Sequence, residues 1–208
     1  MRGVFVTGTD TGVGKTVVAA LLALGSGAAY WKPVQCGTAP STDRADVARW
    51  TGLPEDRLLP EAYRLALPAS PHVAAHAAGV VIDPARLTLP VRPEPLVVEG
   101  AGGILVPLND RHTMLDLMEW LGLPVILVAR TQLGTINHTL LSLQALRHRG
   151  LTIQGLVLNG EPVPTTTATL RSWGKVPLLA ELQPLAQLTP AALTHAYERY
   201  WKHPLTMS

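Results

Sequence analysis

The chain holds a single cysteine, Cys36, among its 208 residues. That excludes an intrachain disulfide and a thiolate metal cluster. It leaves Cys36 as a small buried residue or a pocket wall rather than a nucleophile. No apolar run approaches the length needed to span a bilayer. Met1-Arg2 leads straight into a predicted strand, so no signal peptide is expected and the expected location is cytoplasmic. A formal net charge of +2 leaves no electrostatic footprint for nucleic acid or an acidic membrane, and neither partner is expected. The densest basic cluster, Arg147-His148-Arg149, stands just before Gly150. It reads as the cationic last turn of a helix followed by its C-terminal glycine. No Ser/His/Asp or Cys/His arrangement stands out. His72 and His76 have metal-ligand spacing but lack a companion Glu and a third ligand, so no zinc site is read there. His138, His148, His195 and His203 read as helix-surface or cap residues. No repeat, low-complexity tract or linker divides the chain, and one domain over residues 1–208 is expected.

Lysine is also scarce. Only Lys15, Lys32, Lys175 and Lys202 occur, and every other basic side chain is arginine. Such a chain keeps lysine where a compact ammonium is needed. Lys15 falls in Val4-Phe5-Val6-Thr7-Gly8-Thr9-Asp10-Thr11-Gly12-Val13-Gly14-Lys15-Thr16, where an apolar strand feeds a glycine-bearing loop and Gly-Lys-Thr opens an apolar helix. This is the build of a phosphate-binding loop, in which backbone N–H groups and the positive end of a helix converge on an anion. Lys15 can reach the terminal phosphates of a nucleotide, and the Thr16 hydroxyl can sit on Mg²⁺. The spacing is not letter-perfect: counting back from Gly14 puts Thr9 at the usual first glycine, with Gly8 one residue earlier.

Strands alternate with helices along the chain. Continuous apolar runs predict strands over 3–7, 28–32, 95–99, 125–129, 154–158 and 177–179. Helices are predicted over 15–24, 44–51, 72–78, 114–121, 136–149, 165–173 and 190–202. The alternation implies an α/β fold, a doubly wound and mostly parallel sheet with helices on both faces. Ligands bind such sheets at the carboxyl ends of the strands, which gathers segments 8–16, 32–37, 99–103, 130–137 and 159–162 on one edge.

Three further segments carry candidate chemistry. Leu96-Val97-Val98-Glu99-Gly100-Ala101-Gly102-Gly103 is a buried strand that ends in a carboxylate and a glycine-rich turn. Across from a phosphate loop, Glu99 is placed to hold Mg²⁺ or its waters, and the turn Gly100-Ala101-Gly102 lets backbone approach a nucleotide closely. Asp43-Arg44-Ala45-Asp46 opens a helix. One aspartate reads as its N-cap and the other could point into the site. Gly134-Thr135-Ile136-Asn137 enters a long helix whose free N–H groups could hold a substrate carboxylate, with plain capping by Thr135 as the alternative.

Taken in chain order, these motifs resemble dethiobiotin synthetase, the ATP-dependent enzyme that closes the ureido ring in biotin biosynthesis. The matching stretches are the 8–16 loop with Thr9-Asp10-Thr11, Lys32-Pro33-Val34, Ser70-Pro71-His72, Glu99 to Gly103, Leu123-Pro124-Val125-Ile126 and Leu133-Gly134-Thr135-Ile136-Asn137-His138. Thr9 is normal in that family, which resolves the loop spacing. Partitioning ATPases of the same P-loop NTPase fold, which act through protein partners, carry an extra lysine where Asp10 stands. The resemblance implies 7,8-diaminononanoate, CO₂ or bicarbonate and ATP as substrates, Mg²⁺ as cofactor, and a homodimer. It implies that Thr11, Gly12, Val13, Gly14, Lys15 and Thr16 wrap the phosphates and that Thr16, Asp46 and Glu99 hold Mg²⁺. Lys15 and Lys32, with Thr11, would be catalytic. Asn159 and Pro177-Leu178-Leu179 would line the adenine pocket, and Gly134 to Asn137 would receive the substrate carboxylate at the dimer interface. Three departures stand out. Cys36 replaces a small hydroxyl residue near the substrate amines. The short segment before Lys32 suggests a truncated or absent second strand. Gly160 follows Asn159 where relatives often carry an acid.

Overall fold

The fold is described from a computed structural model, over residues 3–201. Met1-Arg2, Lys202, His203 and the end of the last predicted helix lie outside the described residues. In chain order the elements begin with β1 (Gly3–Gly8), α1 (Lys15–Ser26), β2 (Ala29–Trp31), β3 (Val34–Cys36) and α2 (Asp43–Thr51). Next come β4 (Leu58–Leu59), β5 (Tyr63–Leu65), α3 (Pro71–Ala77), β6 (Leu96–Glu99), α4 (Met114–Leu121) and β7 (Val125–Arg130). The chain continues with α5 (Thr135–His148), β8 (Ile153–Asn159), α6 (Pro164–Gly174), β9 (Leu178–Leu182) and α7 (Pro190–Tyr200).

Seven strands form one sheet in the order β4-β2-β6-β1-β7-β8-β9, and every pairing in it is parallel. The segment before Lys32 therefore does form a strand. It is only three residues long, yet it sits inside the sheet between β4 and β6. Its residues Ala29, Tyr30 and Trp31 pair with Leu96, Val97 and Val98. The small second sheet, β3 with β5, carries no periodic signal in the sequence, because strands of three residues are too short to show one.

Strand alternation sends successive side chains to opposite faces and divides the core in two. Val4, Val6, Tyr30 and Val97 pack with α1, α2 and α7, while Phe5, Val98 and Leu127 pack with α4, α5 and α6. The sheet is thus covered on both sides, which is why its strands read as unbroken apolar runs. The basic cluster at the end of α5 serves packing between helices. Arg149 donates to Asp116 and Glu119 of α4 at 2.8 and 2.6 Å, and Arg147 donates to the Gly174 carbonyl.

Candidate active site

The carboxyl ends of β1, β2 and β6 are neighbours in the sheet, and Lys32, Glu99 and the loop that follows β1 line one cleft of about 670 Å³. Its walls include Thr11, Gly12, Gly14, Lys15 and Thr16 from the loop, Ala101 and Gly102 from the glycine turn, and Asp43 from α2.

The loop spacing has a steric reason. A Cβ at Gly8 would stand 2.7 Å from a Val13 methyl and 3.1 Å from the Lys15 chain, so glycine is needed where the strand turns. Thr9 faces no such constraint and its N–H is held by the Val128 carbonyl at 3.0 Å. At Gly14 the backbone is left-handed, with φ 97°, and a Cβ would collide with the Asn159 amide at 2.0 Å. That amide donates to the Val13 carbonyl at 3.0 Å, tying the end of β8 to the loop. Asp10, which replaces the extra lysine of the partitioning ATPases, accepts from the Thr11 N–H at 2.7 Å and lies 3.9 Å from Arg130.

Glu99 is the hub. It is 1% exposed, and its Oε1 accepts from the Thr16 hydroxyl and the Lys32 ammonium, both at 2.9 Å. Its Oε2 accepts from the Tyr30 phenol at 2.8 Å. The Lys32 ammonium also pairs with Asp43 and lies 3.4 Å from the Gly100 carbonyl. Burial alone would push the Lys32 pKa down, but the Glu99 and Asp43 carboxylates outweigh it and raise it above the usual value. Lys15 is different. Its Nζ donates to the Asp10 carbonyl at 2.8 Å, and among the described residues no carboxylate is in hydrogen-bond contact with it. Burial, with Lys32 nearby, outweighs the pull of Glu99 and lowers its pKa to about 8. Burial lifts the Cys36 thiol to about 11, which keeps it protonated beside Lys32. Cys36 lines the cleft as a wall.

Three expectations are relocated by the geometry. Neither aspartate of the Asp43-Arg44-Ala45-Asp46 run is the N-cap of α2. Thr42 is, with its hydroxyl accepting from the Ala45 N–H at 3.2 Å. That register turns Asp43 toward Lys32 and leaves Asp46 paired with Arg49 at 2.6 Å, away from the residues that line the cleft. Pro177, Leu178 and Leu179 stand at the amino end of β9. The Pro177 carbonyl accepts from Leu156, while Asn159 at the far end of β8 pairs with Leu182. A parallel sheet presents its ligand edge at the carboxyl ends, and this segment lies at the opposite end of its strand. Thr135 does not cap α5. The N-cap is Gly134, and the buried Thr135 hydroxyl donates back to the Arg130 carbonyl at 2.6 Å. Ile136 is half-buried and Asn137 is exposed. Beyond them, His138, Leu141, Ser142 and Ala145 form one wall of a second cleft of about 520 Å³, which reaches Thr9, Asp10 and Thr11.

A family model described as "AAA domain" matches residues 2–192. The ATP-dependent dethiobiotin synthetase BioD of Agrobacterium fabrum is 52% identical over 197 residues, 94% of this chain and 92% of that protein. The chain belongs to the dethiobiotin synthetase family. The enzyme of the same name from Novosphingobium aromaticivorans is also 52% identical, over 95% of both chains. The biotin biosynthesis bifunctional protein BioCD of Bordetella avium is 52% identical over 88% of this chain, which spans 40% of that protein. Among solved structures, a ParA family ATPase from Chlorobium tepidum superposes with a TM-score of 0.56 at 13% identity, covering 99% of this chain and 95% of that one. The septum site-determining protein MinD of Pyrococcus horikoshii, complexed with Mg-ADP, gives 0.55 at 16%, covering 99% and 92%. At such identities the two structures share the fold, a P-loop NTPase, with this family member.

The donors around Glu99 fit a hard divalent cation. Thr16 offers a hydroxyl and Glu99 and Asp43 offer carboxylate oxygens, the ligand type Mg²⁺ prefers. The two carboxylates already converge on a cation, the Lys32 ammonium.

Tyr30 and Thr42 escaped the reading of the sequence. A signal for Tyr30 was available: it stands two residues before Lys32 on a strand, so both side chains leave the same face.

Proposed function

We propose that the chain catalyses the ATP-dependent closure of the ureido ring of dethiobiotin from 7,8-diaminononanoate and CO₂, as a cytoplasmic homodimer with Mg²⁺ as cofactor. The observation that carries this reading is the convergence of Lys15, Lys32, Thr16 and Glu99 on one cleft, in a chain about half identical to named enzymes of that activity.

The chemistry follows from where charge develops. A neutral amine of the diamine adds to CO₂, loses a proton and gives a carbamate. A carbamate oxygen attacks the γ-phosphorus, the bond to the bridging oxygen breaks, and ADP leaves. The second amine attacks the anhydride carbonyl, phosphate departs and the five-membered ring closes. Negative charge accumulates on the carbamate and phosphoryl oxygens. Lys15, Lys32 and the loop N–H groups answer it electrostatically, with no covalent enzyme intermediate. Bound Mg²⁺ would supply charge neutralisation at the β- and γ-phosphates. In this reading Thr16, Glu99 and Asp43 hold the ion, and Asp43 replaces Asp46. Gly100, Ala101 and Gly102 lie against the nucleotide. Asn159 serves the adenine together with the segment after Leu182, since Gly160 is bonded to Leu182 at that edge.

Gly134, Thr135, Ile136 and Asn137 take the substrate carboxylate. The dimer reading is supported by Leu105 and Leu141, which are 63% and 56% exposed on the walls of the second cleft, beside that helix start. Apolar side chains grouped this way mark an interaction face. Cys36 borders the diamine as a neutral thiol.

The test is phosphate release from ATP with and without diamine and bicarbonate. Strict dependence on the diamine, with dethiobiotin as product, is expected. Release that ignores the diamine and responds only to a protein or DNA partner would replace this reading with a nucleotide switch.

A further inference from the structure

We infer that Tyr30 is a positioning residue for the metal site: its phenol fixes the Glu99 carboxylate so that one oxygen alone faces the cation. This rests on the proposed role of Glu99 toward Mg²⁺.

Tyr30 is wholly buried in β2, among the side chains that pack beneath α1. Its hydroxyl donates to Glu99 Oε2 at 2.8 Å. Thr16 and Lys32 both address the other oxygen, Oε1. The carboxylate is therefore divided: one oxygen is tied into the core and the other is presented to the cleft. Without the phenol, a carboxyl group with 1% exposure would hold an oxygen with no donor in a medium of low dielectric. Rotation about the last side-chain torsion would be its remedy, because that torsion is broad. Intermediate orientations, with both oxygens partly turned to the cleft, would then be populated, and the geometry offered to the ion would no longer be single. Partners that orient a ligating carboxylate are worth about 10- to 100-fold in metal affinity.

The experiment is calorimetric titration of ADP binding over a range of Mg²⁺ concentrations and again in EDTA, with wild type, Tyr30→Phe, Glu99→Gln and the double variant. Tyr30→Phe is expected to raise the Mg²⁺ concentration for half-maximal effect by about tenfold or more, while ADP affinity in EDTA changes little. In the Glu99→Gln background the same substitution is expected to move the Mg²⁺ midpoint no further. A midpoint that shifts with Glu99→Gln but not with Tyr30→Phe overturns the role of Tyr30 and leaves the metal site standing. A midpoint indifferent to Glu99→Gln removes the metal reading and this inference with it. If Tyr30→Phe does not fold, the melting curve of the double variant decides. Recovery of a folded protein shows that the phenol serves the carboxylate; failure of both overturns the inference.

Discussion

Nucleotide binding should be accompanied by proton uptake at Lys15. In the free protein burial holds this ammonium at a pKa of about 8, whereas Lys32, paired with two carboxylates, stays charged. A polyphosphate in the 8–16 loop would put anionic charge beside Lys15 and favour its protonated form, moving the pKa upward. The complex then binds more protons than the free protein, so the sign is uptake, and affinity falls as pH rises through 8 toward the pKa of the complex. With a free pKa of about 8, the uptake is roughly 0.1 proton at pH 7, about half a proton at pH 8 and about 0.9 at pH 9. Affinity should accordingly fall nearly tenfold per pH unit above 8.5. The measurement is ADP titration calorimetry between pH 7.5 and 9.5 in buffers of different ionisation enthalpy, a range in which the phosphates of the nucleotide are already ionised. Lys15→Gln is the control and should abolish the buffer dependence. No uptake at pH 9 in wild type, or the same uptake in Lys15→Gln, would refute the assignment of a depressed pKa to this lysine.

Lys32→Gln should lose about 10²–10³-fold in turnover, the scale for removing a donor aimed at developing charge. Its fold should survive by circular dichroism, because Glu99 keeps Thr16 and Tyr30 as donors. The two aspartates of α2 should separate cleanly in a Mg²⁺ titration of turnover. Asp43→Asn should demand more Mg²⁺, while Asp46→Asn should leave the midpoint in place and cost at most about 1 kcal/mol of stability through its ion pair with Arg49. Leu141→Glu, on the exposed wall of the second cleft, should shift the protein toward monomer in sedimentation and lower turnover together; a dimer untouched by it would remove α5 from the interface.

How far the sequence carried the site differs from motif to motif, for physical reasons. The 8–16 loop and Glu99 were legible because both terminate apolar runs, and a run that ends in a polar residue fixes its own strand end. The choice between Asp43 and Asp46 was not legible in that way. It turns on which residue caps α2, and Thr42, Asp43 and Asp46 all belong to types that can. Once the Thr42 hydroxyl takes the Ala45 N–H, Asp43 becomes the first helical residue and Asp46 falls about one turn deeper along the axis. The proposed shift of the base pocket to the segment after Leu182 has a related origin. The apolar run at 177–179 reads as a whole strand, which puts its residues close to the ligand edge. β9 in fact continues to Leu182, through a Glu181 that accepts from the Thr167 hydroxyl of α6 at 2.6 Å. Three further residues at about 3.3 Å each move the carboxyl edge by roughly 10 Å, the length of a nucleobase with its sugar. Hydrophobic runs locate strands well and their carboxyl ends poorly wherever an outer strand tolerates a polar residue. In a doubly wound sheet ligands sit at that end, so an early stop in the last strand moves the segment expected at the ligand edge while leaving the order of the strands unchanged. The same reasoning gives a check: Gln183→Ala, just past the true end of β9, should weaken ADP binding more than Leu178→Ala does per unit loss of melting temperature. The reverse ranking would return the base pocket to the amino end of that strand.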